Sequence, residues 1–522
     1  MSQTLSKTSA AAPEDYDVNK MKDVDKLHSR AIGLVGVLFL TVTGAAPISA
    51  MLGNVPFGAG SGNGQYIPAA FLLATIVLTI FSVGYAAMAG KVSSVGGFYS
   101  FISHGLGREI GLAAGLTSLV AYSLFEASLY GLFASFGHDD FKLWFGVDIP
   151  WVYFALFAVV MASILSYFDV KISSAILGIA LIAEVLILLV FDFGVFGKGS
   201  SAVHIDGNAL NVFNVLTDVA AHKTVDGKDI AAGAAIVGVF MAFWSWVGFE
   251  MAPNYAEESR DPKRIVPLSL YCSVIALGVF YTVTSWAAVS AYPNNDAMLL
   301  AAQTDSGNFF TAPLAALVGP TAASTMRVLI LTSSFACGMA FHNTTARYFY
   351  SLAREGVLPS GLAKTHETFK SPYVGSIVQS AFAALWIVLF LVFLPVPKDT
   401  DYNNFQAYVG LYTMLAVLGT MLILVLQATV SLAIIFYFQA NHPEDAHWFQ
   451  TLLCPIIALI SQAFLVYVLV KNIPVIGGTA TFFTWIPTIG LAVIVIGLVW
   501  GFIVRFAAPD TYARIGRIVN DG

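Results

Sequence analysis

The chain has 522 residues, of which 57% are hydrophobic and only 11% charged, and its mean hydropathy is +0.77. Soluble domains carry roughly 25% charged residues, so the composition excludes an ordinary soluble globule and points to a chain that crosses the lipid bilayer repeatedly. The net charge of −6 and the absence of a nucleic-acid-binding motif argue against a nucleic-acid partner. Cys272, Cys337 and Cys454 stand in apolar segments without metal-ligand spacing and read as packed free thiols.

The first thirty residues are polar and show no hydrophobic core with a cleavage site, so no removable signal peptide is expected before the first span. A helix needs about 20 apolar residues to cross a bilayer. Runs that meet this lie near 31–52, 66–89, 109–136, 150–168, 172–196, 230–252, 265–292, 321–343, 373–395, 409–438, 448–471 and 482–507. The expected fold class is therefore an all-α integral membrane protein with twelve transmembrane helices. An even number puts both termini on one side. With the N-terminus inside, 18 of the 25 Lys and Arg residues fall on inner segments and seven on outer ones, which predicts cytoplasmic termini in the cell membrane.

The first span is interrupted at Thr43-Gly44-Ala45-Ala46-Pro47-Ile48-Ser49. Proline lacks an amide hydrogen and clashes with the preceding turn, so a break is expected there. The stretch Gly58–Gly64 superficially resembles a phosphate loop but lacks the Lys-Ser/Thr ending, and reads as a flexible outer connector. Ser94–Phe101 contains Gly96-Gly97 and reads as a turn that shapes the inner gate. Residues 197–229 read as a small polar outer cap, whose His204 and His222 lack metal-ligand company. The sixth run ends in Phe243-Trp244-Ser245-Trp246-Val247-Gly248-Phe249-Glu250, then Glu257-Glu258 and Arg260–Pro267. Here Gly248 lets the helix break beside a carboxylate at membrane depth.

Two interruptions five helices apart point to an inverted-repeat transporter. The halves are 31–196 and 230–439, forming a ten-helix core from 31 to 439. Residues 440–507 add helices 11 and 12, with tails at 1–30 and 508–522. At the breaks, free amides at Ala45, Ala46, Ile48 and Ser49 would favour a carboxylate. Carbonyls near Thr43, Gly44, Trp244, Ser245 and Val247 would accept from an ammonium group. This is a zwitterion site without catalytic residues or cofactor.

The stretch from Phe243 to Pro267 resembles the sixth-span signature of the amino acid–polyamine–organocation (APC) superfamily. Asn343, Arg347, Tyr350 and Arg354-Glu355-Gly356-Val357-Leu358-Pro359 resemble its second signature. The Gly96-Gly97 turn matches a third motif, with Val92-Ser93-Ser94-Val95 where the family often has proline. The resemblance implies the same backbone-lined site and places Trp244 as the aromatic that closes over substrate, leaving Trp246 to packing.

Three carboxylates are taken as lying within spans. Glu250 and Glu184 are the stronger candidates for proton coupling; Glu126, without a family motif, reads by default as structural. Glu184 stands where proton-coupled relatives carry lysine, so a lysine-based mechanism does not transfer. Sodium is the competing ion, with Ser333 and Ser334, near Thr332, as candidate ligands. The expected function is secondary active transport of amino acids or related amines by alternating access in symport with protons. An antiporter, a polyamine importer and a membrane sensor are the alternatives. A membrane enzyme is disfavoured because no His- or Asp-rich cluster is present.

Overall fold

The computed structural model describes residues 16–17, 26–168, 170–197, 203–398, 400–477 and 481–519. Most of the expected N-terminal tail, and residues 520–522, lie outside this set. The apolar runs are helical, as they must be where lipid offers no partner to a backbone amide or carbonyl. In chain order they are α1 (Leu34–Ala45), α2 (Pro47–Gly58), α3 (Ile67–Lys91), α4 (Phe98–Leu106), α5 (Arg108–Phe145), α6 (Trp151–Ser166), α7 (Val170–Gly197) and α8 (Ala235–Trp244). A 3-10 segment, Phe249–Glu258, leads to α9 (Pro262–Ser290), α10 (Asn295–Thr304), α11 (Thr311–Leu317), α12 (Pro320–Arg354) and α13 (Tyr373–Phe393). Then α14 (Tyr402–Asn404) passes through a π-helical stretch, Phe405–Met414, into α15 (Leu415–Phe436). The series ends with α16 (Cys454–Gly477), α17 (Ile486–Ala507) and α18 (Pro509–Arg514).

Among the described residues, ten helical stretches are long and apolar enough to cross a membrane. One of them, Leu34–Lys91, contains the first two predicted spans, and α6 falls below the length criterion at 16 residues. The protein is thus an all-α membrane protein. Strand structure among the described residues is limited to β1 (Tyr16–Asp17), paired in parallel with β4 (Ile518–Val519), and β2 (His222–Lys223), antiparallel to β3 (Asp229–Ile230). β2 falls in the predicted polar cap and β3 straddles its end, and His222 bonds Asp296 at 3.0 Å.

Both expected interruptions are present. In the first span the left-handed residue is Ala46 (φ 43°), and Gly44 stays inside α1. The cause is Pro47: a proline disfavours the α conformation in the residue before it, and then starts α2, where no intrahelical amide is required. In the sixth span, α8 stops at Trp244 and the chain turns through Gly248 (φ 120°) into the buried 3-10 segment.

Gly58–Gly64 is not a flexible connector. Residues Ala59–Asn63 continue α2 as a π turn, and all of them except Ser61 are buried. A Cβ on Gly62 would lie 2.5 Å from the amide nitrogen of Gly238, so the glycines serve close packing of this turn on α8. Asn63 fixes the turn by donating to the carbonyls of Tyr66 (3.0 Å) and Val215 (3.1 Å).

Candidate substrate site

The two breaks meet around a small cavity of about 30 Å³, roughly the space of one water molecule. Of the residues expected there, Gly44, Ala45, Ala46, Ser49, Trp244, Ser245 and Val247 line it. Thr43, Ile48 and Gly248 do not. The Thr43 hydroxyl points to the carbonyl of Leu177 on α7 at 3.5 Å. The Ile48 amide faces Glu184 Oε2 at 3.5 Å, and the Gly248 amide donates to Glu250 Oε2 at 2.9 Å.

The broken backbone is also less free than its sequence implies. Ala45 closes α1, and the Ala46 amide donates back to the carbonyls of Val42 and Thr43. The Ala45 carbonyl accepts from Tyr281 Oη of α9 at 2.7 Å, and the Gly44 carbonyl from Cys337 Sγ of α12 at 3.1 Å. Buried polar backbone must be paired, and here neighbouring helices supply the partners.

The remaining wall comes from residues no motif had marked. Phe125 of α5 stacks on Phe341 of α12, with ring centroids 4.9 Å apart. Tyr412 Oη donates to Asn54 Oδ1 (3.1 Å), and Asn54 Nδ2 donates to Ser245 Oγ (2.9 Å). The Trp244 ring lies 5.2 Å from that of Tyr412. These contacts, with Tyr408 Oη bonded to the Gly53 carbonyl at 3.1 Å, form a thin layer. Beyond it, on the side away from the chain termini, is a cavity of about 280 Å³ lined in part by Asp139, Asp401, Asn404 and Tyr408. Trp246 faces elsewhere, buried against Phe249 and Tyr281.

The opposite side is closed more heavily. Arg347 binds Glu258 through two nitrogens at 2.6 and 2.9 Å, and Arg354 binds Glu257 likewise at 2.9 and 2.6 Å. Both pairs are buried, and each guanidinium also covers a tyrosine ring, Tyr255 or Tyr350. Fork-to-fork pairs of this kind are strong and geometrically exacting. They tie α12 to the 3-10 segment after the sixth-span break. The sequence displayed these four residues within its two signatures; their pairing is a tertiary fact.

The three carboxylates have different surroundings. Glu184, on α7, reaches the first residues of α2 through Ile48, and also bonds Ser333, whose hydroxyl accepts from Ser49 at 3.0 Å. Glu250 accepts from Tyr122 Oη of α5 at 3.0 Å as well as from the Gly248 amide. Glu126 accepts from Gln379 Nε2 at 2.6 Å and bonds His342 Nδ1 at 2.9 Å, so its partners lie on α12 and α13 and on neither break. Ser334 turns back to the Ile330 carbonyl at 2.8 Å; of the two candidate sodium ligands, only Ser333 faces the first break.

A family model described as amino acid permease matches residues 32–499. The low-affinity putrescine importer PlaP of Escherichia coli (strain K12) is 24% identical over 370 residues, covering 68% of this chain and 73% of its own. The branched-chain amino acid permease BcaP of Bacillus subtilis (strain 168) is 22% identical over 385 residues, covering 70% and 72%. The lysine-specific permease LysP of Lactococcus lactis subsp. cremoris is 24% identical over 280 residues, covering 52% and 53%. With broken first and sixth spans around one cavity and a match over most of its length, the chain belongs to the amino acid permease family of the APC superfamily.

Proposed function

We propose that the protein is a secondary active transporter that carries an amino acid or a related organic amine across the cytoplasmic membrane, by alternating access and in symport with protons. The observation that carries this reading is the asymmetry around the cavity. One side is closed by a few hydrogen bonds and aromatic contacts, the other by two buried bidentate ion pairs. A site between a thin gate and a thick gate suits a molecule that opens to one side at a time. The cavity is too small for an amino acid, so substrate entry requires Trp244, Tyr412 and Asn54 to move.

In this reading the ten-helix core is 31–439, with repeats 31–196 and 230–439, and both termini are cytoplasmic. Glu184 and Glu250 carry the coupling, because each bonds an amide beside a break. Glu126 belongs to the α5–α12–α13 scaffold. Counterflow of labelled leucine, lysine and putrescine in proteoliposomes tests transport directly; no counterflow of any amino acid or amine would reject it in favour of a sensor.

A second reading, transport of an amine without a carboxylate, is favoured by one contact. Glu184 already faces the Ile48 amide at the start of α2, where a substrate carboxylate would otherwise bind. The cavity wall adds four aromatic rings, Phe125, Trp244, Phe341 and Tyr412, whose faces attract ammonium groups. Competition by a plain diamine as effective as any amino acid would select this reading. Competition confined to unmodified amino acids, with methyl esters and N-acetyl forms inactive, would select the zwitterion.

A further inference from the structure

Helix α7 carries a second buried carboxylate. Asp192 stands eight residues after Glu184, about 12 Å further along the helix and roughly 80° around it. The two side chains are 5% and 1% exposed, and Leu188, fully buried, lies between them in the sequence. Asp192 is turned toward α9, while Glu184 bonds the start of α2 and Ser333 of α12. Thr284 Oγ1 donates to Asp192 Oδ2 at 2.8 Å. Tyr281, nearly one turn earlier on α9, bonds the Ala45 carbonyl at the first break and lies within electrostatic reach of Glu184.

The levels of the two groups differ. The early part of α7 lies beside the middle of α1, where Gly178 meets Phe39, while Gly194 meets Val318 at the far end. Glu184 is therefore level with the break, and Asp192 is nearer the face opposite the termini. Asp192 Oδ1 is buried and has no hydrogen-bond partner among the described residues. A buried oxygen left unpaired is costly, and a bridge needing only to join α7 to α9 is complete with Oδ2. α7 also packs on α1, α2, α6, α11 and α12. α1, α2 and α11 contain no ionisable side chain, and Tyr153 of α6 is exposed. Cys337 of α12 donates to the Gly44 carbonyl, and Arg327 of α12 is bound to Asp140. Thr284 is the polar group that faces Asp192.

We propose that Asp192 is the entry station for the coupling proton, receiving it from the face opposite the termini and passing it to Glu184. This rests on the proton-symport reading above. A proton from water binds Oδ1 and neutralises Asp192. When the α7–α9 interface opens and admits water past Leu188, that O–H bond breaks, the Asp192 carboxylate is restored, and an O–H bond forms on Glu184. No electron changes hands.

The test uses the full chain in proteoliposomes with labelled leucine, lysine and putrescine. Asp192→Asn should reduce accumulation driven by a pH gradient about tenfold while counterflow stays within about twofold of wild type. Asp192→Glu should restore accumulation. Thr284→Val, which removes the bond to Oδ2, should move the midpoint of the external-pH profile. Wild-type accumulation and an unchanged pH profile in Asp192→Asn would overturn the proposal. So would equal loss of accumulation and counterflow, the result of a packing role alone. Wild-type counterflow without any response to a pH gradient would also overturn it, yet leave transport standing. Absence of wild-type counterflow would instead defeat the transport reading itself.

Discussion

A Cβ placed on Gly248 would fall 2.4 Å from the carbonyl carbon of Gly44 and 2.5 Å from its oxygen. The two broken spans therefore touch backbone to backbone at these glycines, and the contact is not symmetrical. Gly248 has φ 120°, which an L side chain rarely adopts, and faces rigid backbone. A Cβ on Gly44 would instead meet Met251 Cε at 2.2 Å, the mobile end of a long side chain, with the nearest backbone atom at 3.4 Å. Gly248→Ala should abolish transport, with an added cost of about 1–3 kcal/mol from backbone strain alone. Gly44→Ala should retain part of the activity, and Met251→Ala should relieve it. Counterflow rates normalised to the folded protein in the membrane decide this; equal loss in both glycine variants would contradict the asymmetry.

That difference shows how far the sequence could be read. Pro47 and Gly248 announced both breaks, because each has a direct backbone consequence. The first break nevertheless falls at Ala46 and not at Gly44, since the constraint comes from the proline that follows. Trp244 ends α8 and Trp246 lies in the turn beyond it, and the two rings face different neighbours, Tyr412 and Tyr281. The partners that cap the broken backbone, Tyr281, Cys337 and Glu184, come from helices distant in the chain. No periodicity within one helix encodes which neighbour it will face. Gly58–Gly64 misled for a related reason: a glycine run that permits close helix packing looks the same as one that permits flexibility. Asp192 lies near the end of the predicted span 172–196, where a carboxylate passes for a boundary residue.

The gate on the terminus-bearing side should respond sharply to loss of one partner. Arg347→Ala leaves Glu258 buried without its cation, and the expected destabilisation is about 3–5 kcal/mol. The double variant Arg347→Leu/Glu258→Leu removes both charges and should recover much of that stability without recovering transport. Thermal unfolding in detergent, read beside counterflow, separates the two effects. Full transport by the double variant would show that the pair is only a structural tie.

The C-terminal segment gives a pH-dependent prediction outside the membrane spans. The Gly516 amide donates to Glu355 Oε2 at 2.9 Å and to Tyr99 Oη at 3.0 Å, and Tyr99 itself donates to the same carboxylate. Burial pushes the Glu355 carboxyl up to about 7 from an ordinary 4.5, against the lowering effects of Tyr99, Gly516 and Arg354. Where docking of the segment provides that burial, Glu355 holds its proton more tightly docked than undocked. Docking is then strongest below about 4.5, weakens as pH rises toward about 7, and changes little above. Tryptic cleavage after Arg514 and Arg517, divided by that of an unstructured reference peptide at the same pH, should therefore increase several-fold between these limits. Glu355→Gln, neutral throughout, should show a flat profile. Cleavage that falls as pH rises would reverse the sign and refute the argument.

Glu184 and Glu250 are distinguished by which gate each one holds. Glu250 bonds Tyr122 of α5 and the Gly248 amide. It therefore couples the sixth-span break to a helix that also packs on α12, the helix bearing the two gate arginines. Opening toward the termini must separate the 3-10 segment from α12, and the Glu250–Tyr122 bond lies in the path of that movement. Glu184 instead joins α7 to the start of α2 and to Ser333, on the part of α12 that meets Ser49, and so responds to movement around the first break. A neutral amide in place of either carboxylate removes proton exchange but keeps one acceptor oxygen for the local bond. Glu184→Gln should abolish accumulation driven by a pH gradient and preserve counterflow, since exchange requires no net proton movement. Glu250→Gln should weaken the gate as well, so both accumulation and counterflow fall, and Tyr122→Phe should reproduce the counterflow defect in part. Glu126→Gln should lower stability through the lost His342 contact, with the coupling ratio unchanged. Each variant is to be assayed with sodium absent. If all three retain gradient-driven accumulation, none of these carboxylates is the obligatory carrier. If wild type accumulates substrate only with a sodium gradient, Ser333 and the hydroxyls around it become the coupling site.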